Sequence, residues 1–583
     1  MPPSGSNPTE PRRALESPRL IRNSNSPWRR VLAALLALLT LISAPAFAQV
    51  RLPSLGESAS DDLTIGAERR IGDQILREGR RDPDLLDDPV LLSYVQSIWI
   101  PLLAAARTQG NIEPDIDLAF AWEIFLVRDR SVNAFALPGG YVGIHLGLIA
   151  LTTTPDQLAS VIAHELSHVT QRHIARSIAP QQRASMISIA ALLIGVLAAS
   201  RSNNADMANA AIMGGQAAAA QTQLNFSRDV EREADRLGFG VLTAAGFNPR
   251  GMAAMFERMD YATRLSDGGA FPYLRSHPLT VDRISESRNR TLLIGGPPSL
   301  PTVQHALMQA RARVLMDDSA QTLQRFNGES SSPLLADRAG ALYGGAMAAA
   351  LLRDADRAEK LALATVKTVA TATPREPAAE RTAALLLAQV RLVRGDPNAA
   401  LAGLAALAAL AALDSLAPEG DPRPPMLLRA HALLDLQRRP GGGDPVALRA
   451  STEALQTWVA EHPQDASAWE LLADSSQALG LQLRAMRAGA EARAVLGDLS
   501  GAIDRLRAAQ QVSRSATGQD FIEASVIDAR LRQISTQRRL LAIEARGGKT
   551  SPAPNPEPGP APAPSPAPSP APSSDGRDET TPR

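Results

Sequence analysis

The chain has 583 residues, 60 basic and 60 acidic side chains, and no cysteine. That length allows roughly three to five domain-sized units, and a formal charge of zero supplies no basic stripe of the kind nucleic acid requires. Without cysteine there are no disulfides, no thiol catalysis, no Cys-attached haem and no Cys-ligated zinc, so any metal must sit on His, Asp or Glu.

Residues 1–30 are polar and carry several arginines, Val31 to Ser43 is an apolar run without charge, and Ala46-Phe47-Ala48 follows. A basic segment, a short apolar run and an Ala-x-Ala site predict a secretory signal peptide over 1–48, cleaved after Ala48. A membrane anchor is the alternative, but the run is shorter than the roughly 20 residues a spanning helix needs. With no cysteine to lipidate, the mature chain is expected to be exported and soluble, with at most peripheral membrane contact.

Residues 61–110 read as helical from the spacing of Ile71, Ile75, Leu91, Leu92, Val95 and Ile98, with a helix start at Asp88-Pro89. Trp122 to Val127 and Tyr141 to Ile144 read as short strands, separated by Asn133 to Leu137 and the turn Pro138-Gly139-Gly140. Helical patterns return over 155–180 and 225–245, so 49–310 is expected to form one α+β domain. The apolar stretches at 186–199 and 205–220 are short for a membrane span; a helical hairpin or flap packed on the protein, or one touching a membrane, would account for them.

From about 335 to 515 the chain is helical and repetitive. Ala384, Ala388, Gly395, Ala400 and Leu404 fit the small and large positions of a tetratricopeptide unit, as do Trp469, Leu472, Gly480 and Ala485. Such helix pairs bury their apolar faces only by stacking, so 311–546 is expected to be an all-α tetratricopeptide-like repeat domain, degenerate over 408–450. Generic Ala-rich helical packing is the alternative. Residues 547–583 alternate Pro and Ala and are expected to form a disordered tail.

The chemistry lies in Val161-Ile162-Ala163-His164-Glu165-Leu166-Ser167-His168-Val169. Residues four apart share one helical face, so His164 and His168 can hold one metal ion and Glu165 can take a proton from its water. Two imidazoles leave zinc short of a ligand, and the third must be a carboxylate or another His. The best candidate is Glu231, with Asp235 one turn on, placed to bond a ligand His or to assist proton transfer. Read alone, that charged stretch would be a solvated surface helix.

His164-Glu165-x-x-His168 followed by Glu231-x-x-Ala234-Asp235 resembles the zinc peptidases related to the CAAX prenyl protease, the mitochondrial Oma protease and the bacterial heat-shock protease HtpX. Asp88-Pro89 to Leu103, Asn133 to Gly140, Ala245 to Pro249 with Phe256 to Met259, and Ser276 to Ile284 carry it further, over about residues 60–295. The resemblance implies an α+β zincin-type (gluzincin) metallopeptidase domain with one Zn2+ per chain. It makes His164, His168 and Glu231 the ligands, Glu165 the general base, and Asp235 a proton-donating or orienting group. It also implies that a substrate chain is laid as an added strand along Tyr141, Val142, Gly143 and Ile144. The exported, repeat-bearing members of the family imply a periplasmic endopeptidase. Its protein substrates would be misfolded or misassembled envelope proteins, in outer-membrane β-barrel quality control. The repeats would bind the client or the outer-membrane assembly machinery. A chaperone or assembly factor with latent proteolysis is the alternative. Residues 181–220 follow no family pattern, and Trp99 stands where a small residue is usual.

His277, before Pro278, could reach the zinc as a fourth ligand and displace the catalytic water, or it could bond within a turn. His145 is expected to be structural or to line the substrate. His173 is expected at the flank of the site, and His305, His431 and His462 outside the core.

Overall fold

The computed structural model describes residues 64–177, 228–264, 271–294, 297–328, 330–413, 420–514 and 520–545. The expected signal peptide, the apolar stretches at 186–199 and 205–220 and the Pro/Ala-rich tail lie outside the described residues.

Helix α1 (Ile65–Gly79) begins at Thr64, whose hydroxyl accepts from Ala67 N at 3.2 Å. Strand β1 (Leu85–Leu86) interrupts what the sequence reads as continuous helix. Helix α2 (Pro89–Thr108) starts where expected: Asp88 Oδ1 accepts from Leu91 N at 2.8 Å, and Pro89 sits in the first turn, where a missing N–H costs nothing. Among the described residues α2 alone is long and apolar enough to cross a bilayer, yet Leu91, Val95, Leu102 and Ala106 are wholly buried in the protein core.

After the short helix α3 (Pro114–Ala119) come β2 (Glu123–Val127), β3 (Ala134–Leu137) and β4 (Tyr141–His145). The sheet order is β1-β2-β4-β3; β4 runs parallel to β2 and antiparallel to β3. The 134–137 segment, which the sequence reads only as a connection, is therefore a strand. It also corrects the expected edge. Tyr141, Val142, Gly143 and Ile144 lie inside the sheet, paired on both sides, and the strand open on that side is β3. Two left-handed glycines, Gly139 (φ +80°) and Gly140 (φ +93°), close the β3–β4 hairpin and return β4 into the gap beside β2.

Both faces of the sheet are covered, so β4 is buried at every position. Phe125, Val127 and Tyr141 pack with Ile71, Ile75 and Leu76 of α1. The alternate positions Ile124, Leu126, Val142 and Ile144 face the main core with α2 and the helix α5 (Pro155–Thr170), which follows α4 (Leu146–Leu151). Helix α5 is capped by Thr154, has Pro155 in its first turn, and buries nearly its whole circumference. It ends at Thr170, short of the expected 180, because Arg172 adopts a left-handed conformation (φ +52°) and pairs with buried Glu68 at 2.5 Å. The chain turns back there into α6 (His173–Ser177).

Helices α7 (Arg228–Ala244) and α8 (Arg250–Arg264) pack against α5, and α9 (Tyr273–Ser276) and α10 (Val281–Ile294) follow. Gly238 of α7 lets that helix close on α5: a Cβ there would lie 3.1 Å from Ala163 O and 3.2 Å from His164 Cα.

Helix α11 (Val303–Leu315) crosses the boundary expected at 310. It packs on α2 and α4 on one side and, beyond α12 (Ala320–Leu323), on α13 (Leu335–Leu351) and α15 (Pro377–Arg394) on the other. One hydrophobic cluster accordingly runs from Val90 to Leu404. His305, expected outside the core, is buried in it, between Tyr94 Oη (2.6 Å) and Thr152 O (3.1 Å). Arg311 grips Asp88 through two bonds of 2.7 Å.

From α13 onward helices pack each on the next: α14 (Ala355–Val369), α15, α16 (Pro397–Leu413), α17 (Arg423–Arg438), α18 (Pro445–Glu461), α19 (Ala466–Ala478), α20 (Gln482–Val495), α21 (Leu499–Ser513) and α22 (Asp520–Ala545). The array returns to the first half of the chain at Arg423, which bonds both Asp465 (2.6 Å) and Asp87 (2.7 Å).

Candidate metal centre

Helix α5 carries His164 and His168 one turn apart, with their Nε2 atoms 3.0 Å from each other. Helix α7 brings Glu231 to them: Oε2 is 3.5 Å from His164 Nε2 and Oε1 is 3.5 Å from His168 Nε2. His277, just after α9, places Nδ1 2.9 Å from Glu231 Oε1 and 3.4 Å from His164 Nε2. All four side chains are buried, and one donor atom from each lies within 4.8 Å of the others. Ligands held about 2.0–2.1 Å from a tetrahedral zinc ion are separated by roughly 3.3 Å. The observed separations match that spacing, and the N3O donor set suits zinc.

Glu165 lies beside this cluster, fully buried. Among the described residues neither of its carboxylate oxygens has a hydrogen-bond partner, and the nearest basic atom is His277 Nε2 at 3.6 Å. A buried carboxylate without donors is costly. The cost is removed if a water bound at the centre donates to it, so the residues present fit a hydrated metal ion.

The supporting groups are equally defined. Asp235 Oδ1 lies 3.0 Å from His164 Nδ1. Arg283 of α10, 5% exposed, donates to Asp235 through Nε (2.7 Å) and Nη2 (2.8 Å) and reaches Glu231 Oε2 through Nη1 (2.8 Å). His173 Nδ1 is 2.9 Å from His168 Nδ1, and its Nε2 is 3.1 Å from Glu233 Oε2. Tyr273 stacks on His277 with ring centroids 4.7 Å apart.

Burial would raise the Glu231 and Asp235 carboxyls, but the charges and hydrogen bonds of their neighbours win. His277 and His164 hold Glu231 well below the usual carboxylate range, and Arg283 and His164 lower Asp235. Burial works against a charged His164, yet Asp235 and Glu231 push it up to about 9. His168 is driven well below its usual value by burial and then by repulsion from His164 and His277. Burial likewise lowers His173, against its bond to Glu233.

Sequence reasoning placed His164, Glu165, His168, Glu231, Asp235 and His277 as candidates, and the fold gathers all six. It passed over Arg283 and Glu233, and put His173 only at the flank of the site. Arg283 stands six residues after His277 within a stretch that carried the family resemblance, and that was its only signal. His145 is buried against Ser131 (3.0 Å) and Asp129 (3.8 Å) and is not one of the four grouped donors.

The profile of peptidase family M48 matches residues 106–291. The chain is 30% identical to the beta-barrel assembly-enhancing protease of Escherichia coli over 512 residues, 87% of this chain and 96% of that protein. It is 36% identical to the putative beta-barrel assembly-enhancing protease of Vibrio cholerae over 328 residues, a match spanning 55% of this chain and 65% of that relative's length. A more distant similarity, 34% over 163 residues, links it to the mitochondrial metalloendopeptidase OMA1 of Schizosaccharomyces pombe, covering 28% of this chain and 44% of that protein. With a donor cluster able to hold a metal inside the matched segment, the chain belongs to peptidase family M48 and is a metallopeptidase.

Proposed function

We propose that the protein is a zinc-dependent endopeptidase of the periplasm that removes misfolded or misassembled envelope proteins during outer-membrane β-barrel assembly. The observation that carries the reading is the four-donor cluster with the unpartnered carboxylate of Glu165 beside it. His164, His168 and Glu231 would hold the ion, and zinc bound there would lower the pKa of a water to about 7 and polarise the scissile carbonyl. Glu165 takes the proton from the attacking water and passes it to the leaving amine. Asp235, itself fixed by Arg283, puts a negative charge 3.0 Å from His164 Nδ1, which favours a proton there and a bare Nε2 toward the metal.

The substrate chain adds to the open edge at β3, beside α5. His145 N donates to Asn133 O, so in this antiparallel pairing Asn133, Phe135 and Leu137 spend their backbone bonds on β4. The N–H and C=O groups of Ala134 and Ala136 then point outward, available for a peptide in extended form.

The relatives named beta-barrel assembly-enhancing protease support the assignment to outer-membrane assembly. The helices from α13 to α22 would be tetratricopeptide-like repeats that hold the client or the assembly machinery, with peptidase residues 49–310, repeats 311–546 and a signal peptide removed after Ala48. His277 favours a second mode, in which the protein assists assembly while proteolysis is latent. Its Nδ1 lies 3.4 Å from His164 Nε2 and its Nε2 lies 3.6 Å from Glu165 Oε1, which supports a resting state in which His277 is a fourth ligand that a catalytic water would have to displace.

Glu165→Gln should retain one zinc per chain and lose casein cleavage, and chelation of the wild type should abolish cleavage reversibly. Cleavage that survives in Glu165→Gln would overturn the mechanism. Rescue of a null strain by the same variant would instead favour the assembly role over proteolysis. His277→Ala should cleave faster than wild type; unchanged or slower cleavage rules out the latent state.

A further inference from the structure

We propose that His173, held by Glu233, is a positioning residue for the metal centre: it fixes the tautomer and orientation of His168 through a relay of two imidazoles and a carboxylate. The inference rests on the reading of His168 as a ligand.

The two ligand imidazoles are supported differently. His164 has a carboxylate close to its Nδ1, Asp235 Oδ1 at 3.0 Å. His168 has another imidazole, His173 Nδ1 at 2.9 Å from its own Nδ1. Two ring nitrogens at that distance need one proton between them. Its position is set by the outer end of the chain, where His173 Nε2 lies 3.1 Å from Glu233 Oε2. An ionised carboxylate only accepts, so His173 Nε2 carries a proton and donates it. With one proton already on Nε2, the neutral His173 ring leaves Nδ1 as an acceptor, and His168 Nδ1–H donates to it. His168 Nε2 is then bare, with its lone pair directed at the cluster formed with His164 and Glu231. The relay selects the tautomer that binds metal and disfavours the one that cannot.

The fold goes to some expense to build this contact. His173 lies five residues after His168, more than a full helical turn, so a continued helix would not bring the rings together. The left-handed Arg172, anchored on Glu68, breaks α5 and folds His173 back under His168. Arg176, one turn along α6, also reaches Glu233, at 3.3 Å, so the short helix is pinned to α7 at two points. Both rings are about 1% exposed, so water does not compete for the Nδ1–Nδ1 bond.

The test is metal affinity of the full chain, by competition with a chromophoric chelator, together with the visible spectrum of the cobalt-loaded protein. His173→Leu fills the space without an acceptor and should bind zinc about 10- to 100-fold more weakly, with an altered cobalt spectrum. His173→Asn puts an amide oxygen near the lost Nδ1 and should recover most of the affinity and the native spectrum. Glu233→Ala, at a partly exposed position, should weaken binding several-fold while leaving metal-free stability close to wild type. Wild-type affinity in His173→Leu, or equal weakening in the Leu and Asn variants, would overturn the proposal, since a space-filling role predicts one or the other. Failure of the underlying reading looks different: the wild type would then not bind one zinc per chain, or His168→Ala would bind as tightly as wild type.

Discussion

His305 should make the stability of the protein fall between neutral and mildly acidic pH. Its imidazole joins α11 to α2 and to the end of α4, with Nδ1 at Tyr94 Oη and Nε2 at the Thr152 carbonyl. A carbonyl only accepts, so the ring carries its proton on Nε2, takes the Tyr94 hydroxyl proton at Nδ1, and is neutral. Burial lowers its pKa from 6.5 to about 4, opposed by the Thr152 carbonyl and helped slightly by Arg313. The unfolded chain binds a proton near pH 6.5, and the folded chain does not until near pH 4. Between those values the unfolded form holds more protons, so stability is lost as pH falls through the window and levels off below it. At about 1.4 kcal/mol per pH unit the loss amounts to about 3 kcal/mol. Urea unfolding followed by circular dichroism at pH 7, 6, 5 and 4 measures it, with His305→Gln as the control. Glutamine keeps a donor for Thr152 and does not titrate. It should be less stable at pH 7, by about 1–3 kcal/mol for the Tyr94 hydroxyl left without an acceptor, but lose much less between pH 6.5 and 4, so that the deficit closes or reverses at the acid end. Carboxylates that titrate in the lower part of the window affect both proteins alike. Parallel stability profiles for wild type and variant would refute the reasoning.

Arg283→Met should destabilise the metal-free protein by about 3–5 kcal/mol, because it leaves Asp235 and Glu231 buried without their common cation; urea unfolding after chelation reads this, and a loss under 1 kcal/mol would contradict it. Gly238→Val should cost about 1–3 kcal/mol and weaken zinc binding, since the added carbons meet the backbone of Ala163 and His164; wild-type affinity would show that α7 can retreat freely. Ala136→Pro removes one outward-facing N–H from the edge strand, where proline is tolerated. It should raise KM for peptides several-fold with little change in melting temperature, and an unchanged KM would place the substrate elsewhere.

The core of the site was legible because a helix converts sequence spacing into direction. His164 and His168, and likewise Glu231 and Asp235, are four apart, and that spacing alone set each pair on one face. The start of α2 was legible too, since Asp88 and Pro89 act within three residues of themselves. What was missed depends on contacts that spacing does not encode. β4 reads as a strand on its own residues, but its place inside the sheet depends on β3, whose Ala134-Phe135-Ala136-Leu137 lacks a polar alternation. Helix α5 reads as continuous to 180 because Gln171-Arg172-His173 contains neither Gly nor Pro. The break there comes from Glu68, more than a hundred residues earlier. Arg283 and Glu233 look like surface charges until α10 and α6 are docked. His305 sat just before the boundary placed at 310, and neither the helix pattern nor the repeat spacing gave a sign that α11 packs on both sides.

That shared helix bears on how the chain can be divided. Leu307, Met308 and Val314 of α11 are wholly buried in the cluster that runs from Val90 to Leu404. A fragment ended at 310 would keep part of this wedge, lose its far side, and present a raw apolar surface to solvent. Limited digestion should spare that region and open the array farther along, toward the next cluster, which spans Leu427 to Ala492. The catalytic half and the nearest helices would then unfold as one cooperative block, tied to the distal helices by Arg80 to Gln464, Arg81 to Gly497 and Arg423 to Asp87.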